Sequence, residues 1–596
     1  MRKFVLYGCL LFSVIVAVLA GIFFSKTIAT TNGNVVVSFY SDGQIVMARH
    51  LTKGEELAML PVSAKEGYEF IGWYMTNDSL NHKVTEKTSF DNSTMVIAVF
   101  SKIINKNNEP INVSLISKDE KSITIKGGTA LSQEEQQSLS SLNVLRYDFS
   151  GVQLENNKLG DNVFKNKKVE EVVLPLSARE IGENAFYQSS SLCKLNTEFI
   201  ETIGSRAFFN CTKMRSLNLS GLLSLKDNVF TGCSIRKIEA PKLTNFTFKS
   251  FENSRIESID VNNANYISED GVVLDVSGKT IIVVPPCKSE NYIVPASVKT
   301  INEYSFYNSM LTNITIPNSV TNIERYAFYN ACAQNISLSE ALLVINEYTF
   351  AKCGSLRKIN ISTNVREIKQ YAFAECSSLR DVVIEYSGAY GVDKVYEHAF
   401  YKCSSLSKME FGSSLKEIGE YTFAENTSLS LFRAESITKI PNNAFDKNSS
   451  LKVLSVGKIT TIGNSAFSYA ANIPSFDFSE TTSIGAYAFR GNNEIINIDL
   501  PKILDIGEFA FTDNLKLNSV ILGEQLKSIG NSAFSGCSAI ASVNIKALSV
   551  PTIAENSAVF GILGMDFNKS IQIFVKNKDN YLADINWVYY KDYLYQ

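Results

Sequence analysis

The hexapeptides Ile181–Phe186 (IGENAF), Ile345–Phe350 (INEYTF) and Ile462–Phe467 (IGNSAF) are three copies of one recurring pattern. In each copy an aliphatic residue is followed five positions later by a phenylalanine. The phenylalanines of this series stand at positions 164, 186, 208, 230, 248, 306, 328, 350, 373, 400, 423, 445, 467, 489, 511 and 534. Nine of the fifteen intervals are 22 residues and three are 23, so the sequence predicts one structural unit repeated sixteen times.

Each phenylalanine is followed by a second block, represented by Cys376–Ile384 (CSSLRDVVI), whose aliphatic residues alternate near its end. This alternation predicts one short strand per repeat. A single unit of 22 residues cannot bury its own apolar stripe, so neighbouring units must stack and share a core. The predicted fold is therefore a β-rich solenoid of about 16 repeats with short helical turns.

The third position after the phenylalanine is occupied by small residues that form hydrogen bonds. It is cysteine at 211, 233, 353, 376, 403 and 537, and asparagine at 426, 448, 492 and 514. Cysteine and asparagine would not replace one another in a catalytic site. Inside a tight turn, however, either residue can form hydrogen bonds with buried main-chain groups that would otherwise lack a partner.

The complete pattern, Ile-Gly-x-x-Ala-Phe-x-x-Cys-x-x-Leu-x-x-Ile-x-Leu-Pro, resembles the BspA-like (Treponema-type) leucine-rich repeat. Residues 314–320 (ITIPNSV) supply its second half. The 58-residue interval between Phe248 and Phe306 contains Tyr266–Asp275, which is similar to the hairpin insertion found between arrays of that family. The resemblance implies a leucine-rich repeat solenoid that binds host matrix proteins, plasma proteins or other cells.

A different pattern precedes the repeats. Gly67–Tyr74 (GYEFIGWY) is followed by the aliphatic strand-like run Thr94–Phe100, and together they resemble the Listeria–Bacteroides repeat, also called the internalin B-repeat. The resemblance implies a small β-grasp-like domain that serves as a spacer or weak binding element. Trp73 is expected to be a core aromatic residue of this domain, with ligand stacking as the alternative.

The chain begins with Arg2 and Lys3 and then has no charged residue from Phe4 to Phe24. A positive start before an apolar run is typical of secretion signals, and the run is also about long enough to cross a bilayer. Cleavage after Ala20 and retention as an N-terminal membrane anchor both stay open. In either case we expect the rest of the chain to lie outside the cytoplasm, secreted or at the cell surface, with membrane contact only through this segment.

The ends of the array have their own signals. Ser132–Glu135 (SQEE) predicts a capped helix ahead of the first strand, and Trp587 is expected to cover the last repeat rather than to bind sugar. The predicted domains are a signal or anchor (1–30), a β-grasp-like domain (34–102), a linker and cap (103–142), a first array (143–262), a hairpin insertion (263–297), a second array (298–550) and a C-terminal cap (551–596).

Composition disfavours most chemical functions. The 57 basic and 60 acidic side chains give a net charge of −3, which offers no basis for nucleic-acid binding. Only three histidines occur, and the closest cysteines, Cys193 and Cys211, are too far apart for a Cys-x-x-Cys metal or redox motif. We therefore expect no catalytic residue, metal or cofactor, and free buried cysteines.

The remaining candidate is a surface for protein partners. Residues that flank the inward aliphatics of each strand should face outward and form a binding face. The candidate patch combines charged residues with a leucine expected to be exposed: Lys358, Asn360, Lys408, Glu410, Leu431 and Arg433. The favoured hypothesis is a non-enzymatic, adhesin-like scaffold. The alternatives are an envelope spacer without a specific ligand and, less favoured, a secreted hydrolase.

Overall fold

The computed structural model describes residues 34–75, 82–288, 291–387, 390–470, 476–554, 558–561 and 570–596. The apolar segment 4–24 lies outside the described residues. The chain divides into two compact units, the first ending at Asn263 and the second beginning at Ala264.

The first unit begins with a small sheet. Its strands are β1 (Asn34–Ser41), β2 (Gln44–Thr52), β3 (Tyr68–Tyr74), β4 (Lys83–Val84) and β5 (Thr94–Lys106). β1 pairs antiparallel with β2 and parallel with β5, and β3 pairs antiparallel with both β4 and β5. Trp73 is buried at 1% exposure with its ring edge-on to Phe39, 5.0 Å between centroids, so it is the expected core aromatic.

The first coils follow in the same unit. A capped helix, α1 (Gln133–Ser140), lies between the first two of their strands, and three-residue or four-residue 3-10 turns are found at Val113–Leu115, Glu155–Asn157 and Phe248–Phe251. The strands are β6 (Ser122–Gly127), β7 (Arg146–Gly151), β8 (Lys158–Leu159), β9 (Glu171–Val173), β10 (Glu180–Ile181), β11 (Lys194–Leu195), β12 (Thr202–Ile203), β13 (Ser224–Leu225), β14 (Lys237–Glu239) and β15 (Ser258–Asp260).

The small sheet and the first coils are joined by hydrogen-bonded strands. β5 pairs in parallel with β6, which pairs in parallel with β7, and the order continues through β9 to β11 in one nine-stranded sheet. The sequence predicted a linker from residue 103, but residues 103–106 continue the strand β5. Their alternation is interrupted by polar side chains, and the partner that they require, β6, lies outside the recognisable motif.

The predicted helix at the start of the array is confirmed. The Ser132 side chain accepts a hydrogen bond from the Glu135 amide, and the Glu135 carboxylate accepts one from the Ser132 amide, which is the reciprocal capping box. The same carboxylate pairs with the buried Lys106 ammonium at 2.8 Å. α1 therefore begins where the sequence places it and is tied to the end of β5.

The second unit begins with β16 (Tyr266–Glu269), β17 (Val272–Asp275) and β18 (Thr280–Val283), which pair antiparallel in that order. The strands of the coils that follow are β19 (Asn291–Ile293), β20 (Thr300–Ile301), β21 (Asn313–Thr315), β22 (Asn322–Ile323), β23 (Asn335–Ser337), β24 (Val344–Ile345), β25 (Lys358–Ile361), β26 (Glu367–Ile368), β27 (Asp381–Ile384), β28 (Lys394–Val395), β29 (Lys408–Glu410), β30 (Glu417–Ile418), β31 (Leu431–Ala434), β32 (Lys439–Ile440) and β33 (Val453–Val456).

The last coils and the C-terminal cap complete this unit. Their strands are β34 (Thr461–Ile462), β35 (Ser483–Ile484), β36 (Asn497–Leu500), β37 (Asp505–Ile506), β38 (Ser519–Leu522), β39 (Ser528–Ile529), β40 (Ser542–Ile545), β41 (Thr552–Ile553), β42 (Gln572–Val575) and β43 (Leu594–Tyr595). The cap also contains the helix α2 (Lys578–Ala583) and the 3-10 turn Trp587–Tyr593. Trp587 is fully buried and donates to the Pro551 carbonyl at 2.7 Å, so it covers the final coils as expected.

Most coils contribute two strands rather than the single one predicted. The coil with β25 also has β26, whose residues Glu367 and Ile368 pair in parallel with Lys394 and Val395 of β28. The second strand is only two residues long, too short to show alternation in the sequence. The coils are therefore stacked through two separate ladders of parallel main-chain hydrogen bonds.

The repeated phenylalanines form the predicted core. Phe489 and Phe511 lie face to face with centroids 5.3 Å apart and planes 1° apart, and Phe511 stacks on Phe534 in the same way. All three are fully buried. Each such ring stabilises the fold by roughly 1.5–3 kcal/mol through burial alone. The shared core predicted from the period is confirmed.

The prediction that Phe248 is a core ring is wrong. Phe248 is only half-buried, while Phe251 in the same 3-10 turn is the buried ring of that coil, at 1% exposure. The interval from Phe230 to the buried ring is therefore 21 residues rather than 18. The turn places the later phenylalanine in the core, and its interval is also the one closer to the 22-residue period.

At the third position after the phenylalanines, the six cysteines and two of the four asparagines form the predicted hydrogen bond, whereas the side-chain amides of Asn426 and Asn448 donate to no described group. The Cys376 thiol donates to the Phe350 carbonyl at 3.0 Å, and the Asn514 amide donates to the Phe489 carbonyl at 2.9 Å. Ser189 makes the equivalent bond to the Phe164 carbonyl. Three chemically different side chains therefore supply one donor to the phenylalanine of the preceding coil. No disulfide joins any pair of cysteines among the described residues.

Candidate protein-binding surface

The eight-stranded parallel sheet of the second unit, in the order β19-β21-β23-β25-β27-β29-β31-β33, positions the predicted patch. The middle residues of its strands, such as Ile359, Met409 and Phe432, point into the core and are at most 1% exposed. Because side chains alternate along a strand, the residues on either side of them point the other way. We call this outer surface the strand face.

The strand face carries one in-register row across all eight strands. Its members are Asn291, Asn313, Asn335, Lys358, Asp381, Lys408, Leu431 and Val453. The three asparagines form a ladder in which Asn313 donates to Asn291 at 2.6 Å and Asn335 donates to Asn313 at 2.8 Å. The row is thus fixed by side-chain hydrogen bonds at one end and carries charged residues at its centre.

The structure brings four of the six predicted residues together. Lys408 lies beside Leu431, and Glu410 lies beside Arg433, on the adjacent strands β29 and β31. The Glu410 carboxylate is 3.8 Å from the Lys408 ammonium and 3.5 Å from the Arg433 guanidinium. Such exposed pairs add little stability, about 0–1 kcal/mol, so these charges are free to exchange partners.

The other two predicted residues lie farther along the same face. Lys358 and Asn360 are both exposed on β25 and are separated from β29 by β27. Asp381 and Val383 of β27 pair directly with them. The predicted patch is therefore interrupted by an acidic and an apolar residue of the intervening strand.

The prediction for Leu431 is wrong. It was expected to be exposed but is half-buried, between Lys408 and Val453 of the neighbouring strands in the same row. The exposed apolar residues nearby are instead Val383 and Val453, at 40% and 43% exposure. These two valines are exposed apolar residues of the strand face.

A row of stacked aromatic rings was missed. Tyr304, Tyr326, Tyr348, Tyr371, His398 and Tyr421 each stand two residues before a core phenylalanine. Successive rings lie 4.5 to 5.0 Å apart between centroids, nearly parallel. All six are half-buried. The signal was present in the sequence as the recurring Tyr-x-Phe of the second array.

The ring faces of the aromatic row are covered by their neighbours, so only edges and hydroxyls meet solvent. Burial raises the pKa of the Tyr326 and Tyr348 hydroxyls, which keeps them protonated donors. Sugars bind to tyrosine mainly through the open ring face. The inner rings of the row are therefore suited to hydrogen bonding rather than to sugar stacking.

The described ranges contain neither a metal-binding cluster nor a helix suited to span a membrane. In those ranges no cluster of three or more His, Cys, Asp or Glu is arranged to hold a metal ion. Among the same residues, none of the helices has both the length and the apolar character needed to span a bilayer.

Residues 153–271, 286–390, 387–496 and 460–561 match the family model described as the BspA type leucine-rich repeat region. Together these ranges cover more than half of the chain. The chain belongs to the BspA-type leucine-rich repeat family. Residues 36–99 also match the Listeria-Bacteroides repeat domain, so both resemblances are confirmed. As a BspA-type protein, this chain has a fold that is typically a scaffold for protein contacts rather than an enzyme.

Solved structures of other leucine-rich repeat proteins are similar to this BspA-type chain. A leucine-rich repeat protein from Eubacterium ventriosum is 22% identical over 51% of this chain and 83% of its own, with a TM-score of 0.37. One from Bacteroides ovatus is 18% identical over 81% and 95%, with a TM-score of 0.35. The pneumococcal vaccine antigen PcpA is 16% identical over 85% and 84%, with a TM-score of 0.25. No curated protein matches this chain in sequence.

Proposed function

We propose that this BspA-type protein is a secreted or surface-attached scaffold that binds host matrix or cell-surface proteins through its strand face. The observation that carries the proposal is the unbroken eight-strand row from Asn291 to Val453. It presents amides, both signs of charge and two exposed valines on rigid strands rather than on loops. Rigid presentation lowers the ordering cost of binding a folded partner.

The centre of the docking surface is assigned to β25, β27, β29 and β31. Lys358, Lys408 and Arg433 supply exposed cations, Asn360 an exposed amide and Glu410 a carboxylate between two of the cations. Exposed pairs exchange easily for a partner's charges, so this arrangement favours a partner with mixed charge. Leu431 supports the row from a half-buried position.

The decisive experiment compares the full chain with a triple variant, Lys358→Ser, Lys408→Ser and Arg433→Ser, on a panel of immobilised matrix and plasma proteins. The matched control, Lys416→Ser, Lys439→Ser and Lys527→Ser, removes three exposed cations outside the strand face of the same unit. We expect the first variant to weaken binding about tenfold or more. Equal binding by both variants would remove the patch, and binding to none of the panel by the parent chain would favour a spacer role.

Attachment is proposed to be N-terminal, through residues 4–24. An uncleaved segment would hold the protein at the membrane, and cleavage would release it. Fractionation of cells that express the full chain, with N-terminal sequencing of the recovered protein, distinguishes the two. Recovery in the cytoplasm would contradict both.

A further inference from the structure

The sheet of the first unit is interrupted at one coil. β9 and β11 pair in parallel, but the next coil forms no strand at residues 215–219, and β14 pairs only with β15 on its far side. On the other side of the same coils the ladder from β8 to β13 continues without a break. The coils are therefore stacked on one side and open on the other.

The distance between stacked core rings also increases at this coil. The ring centroids of Phe208 and Phe230 are 6.2 Å apart, against 5.3 Å for Phe164 and Phe186 and 5.4 Å for Phe186 and Phe208. The two coils nevertheless remain joined by the Cys233 thiol, which donates to the Phe208 carbonyl at 2.9 Å. The wider spacing occurs at the coil that has no strand.

A groove of about 1050 Å³ lies at this opening, between residues 215–220 and β14. A space of this size is at the upper end of ordinary ligand sites, about 300–1,000 Å³. It is lined by the cations Arg215, Arg236, Lys237 and Arg255, against the single carboxylate of Glu239. We call it the cationic groove.

Two of the four cations have acidic partners and two do not. Arg236 pairs with Glu257, and Lys237 pairs with Glu239 at 2.8 Å and with Asp260 at 3.0 Å. Arg215 and Arg255 form no ion pair with any residue that the structure describes, and both are exposed. The groove therefore presents uncompensated positive charge.

One wall of the groove also presents unpaired main-chain groups. The Arg236 carbonyl accepts hydrogen bonds from the amides of Glu257 and Ser258, and the Ala240 amide donates one to the Asp260 carbonyl. The main-chain amide and carbonyl groups of the even-numbered residues in this segment therefore point toward β15. In a parallel ladder the main-chain amide and carbonyl groups of successive residues point alternately toward the strand on one side and the strand on the other. The amide and carbonyl groups of Lys237 and Glu239 therefore point into the groove.

The opposite wall is formed by residues 215–220, which contain no strand. The amides of residues 215–218 donate no hydrogen bond to a main-chain carbonyl within the described part of the chain. An occupant that offers both donors and acceptors at strand spacing would satisfy the open edge of β14.

We propose that the cationic groove binds an extended, acidic segment of a protein partner, which adds a strand against β14. The partner's main chain bonds to Lys237 and Glu239, and its carboxylates pair with Arg215 and Arg255. An extended polypeptide has both features that the groove lacks, a main-chain ladder and negative charge. A sulfated polysaccharide would supply only the charge. This site belongs to the first unit and does not depend on the strand face.

The test uses the full chain and a fluorescently labelled peptide in which glutamate and valine alternate, followed by fluorescence anisotropy. The Arg215→Ser, Arg255→Ser variant should weaken binding about tenfold or more, because two charge-assisted hydrogen bonds are lost. The control, Arg206→Ser with Lys226→Ser, removes two exposed cations of the same unit that do not line the groove and should bind like the parent.

A second comparison separates strand addition from simple charge attraction. The same peptide carrying N-methyl groups on alternate residues keeps its carboxylates but cannot form the ladder, so its binding should fall by a similar factor. Equal binding of the methylated peptide would overturn the proposal. So would equal loss in the control variant, no binding of the acidic peptide to the parent, or binding of heparin in its place.

Discussion

The Cys376 thiol donates to the Phe350 carbonyl 3.0 Å away, and Phe350 belongs to the preceding coil. The same carbonyl accepts from the Cys353 amide at 3.1 Å, so it receives one donor from within its own coil and one from the next. This double acceptance recurs along the array and couples the turn of each coil to the phenylalanine stack.

Replacement of Cys376 tests this coupling. Cys376→Ala removes the donor and leaves a small void, and we expect it to lower the free energy of unfolding by about 1–2 kcal/mol. Cys376→Ser retains a donor of the kind found at Ser189 and should be more stable than the alanine variant. Urea denaturation measures both. An alanine variant as stable as the serine variant would show that the hydrogen bond adds nothing.

The phenylalanine stack makes a larger contribution. Phe373 lies 5.2 Å from Phe350 and 5.1 Å from Phe400 between ring centroids, and it is fully buried. Phe373→Ala should cost about 3–5 kcal/mol, whereas Phe373→Leu retains most of the volume and should cost less. If chemical denaturation of the alanine variant matched that of the parent, the shared core would not extend through this coil.

Thiol reactivity should follow burial. Burial raises the pKa of the Cys233, Cys403 and Cys537 thiols to about 12, so almost no thiolate is present near neutral pH. Cys332 is exposed. We expect Ellman's reagent to label Cys332 rapidly in the native protein and the three buried thiols only after unfolding.

The Cys332→Ser variant is the control for this assignment. It should lose the rapid phase and keep the labelling that follows denaturation. A rapid phase that persists in this variant would place a reactive thiol elsewhere.

His398 should make stability depend on pH. Burial lowers its pKa below the ordinary value of 6.5, and Glu397 and Glu420 partly oppose this effect. As the pH falls through 6.5 the unfolded chain takes up a proton before the folded protein does, so stability is lost on the acidic side. Its stacked neighbours in the row are Tyr371 and Tyr421.

The His398→Tyr variant continues the row of tyrosines and removes the titrating group. Its melting temperature relative to the parent should therefore rise as the pH is lowered from about 8 to about 5. Thermal denaturation across that range measures the difference. A difference that stays constant with pH would show that His398 does not titrate differently in the two states.

Much of the fold could be predicted because the period is imposed by stacking. Phe186, Phe350 and Phe467 occupy the core as expected, and Cys376 and Asn514 serve the same role as donors. The prediction of core phenylalanines fails at one coil of the first array. Phe251 rather than Phe248 occupies the core of its coil, and its 21-residue interval from Phe230 fits the period better than the 18-residue interval that was chosen.

The surface was harder to predict than the core. The outward direction of Lys358 and Arg433 follows from strand alternation, and both are exposed. The exposure of Leu431 depends on which residues flank it across strands, here Lys408 and Val453, and the sequence of one coil does not show this. The tyrosine row was overlooked because tyrosines such as Tyr348 lie in a turn, with a positive φ of 55°, outside any strand pattern.

The strand β5 has a mechanical consequence for the first unit. It closes the small N-terminal sheet and also pairs along residues 102–106 with β6, at the start of the coils. A pull applied to the small domain would be resisted by a patch of inter-strand hydrogen bonds loaded together, rather than extending a slack tether. An excision after residue 102 would cut through this strand. The small domain is therefore the first layer of the array and not an independent module that can be removed.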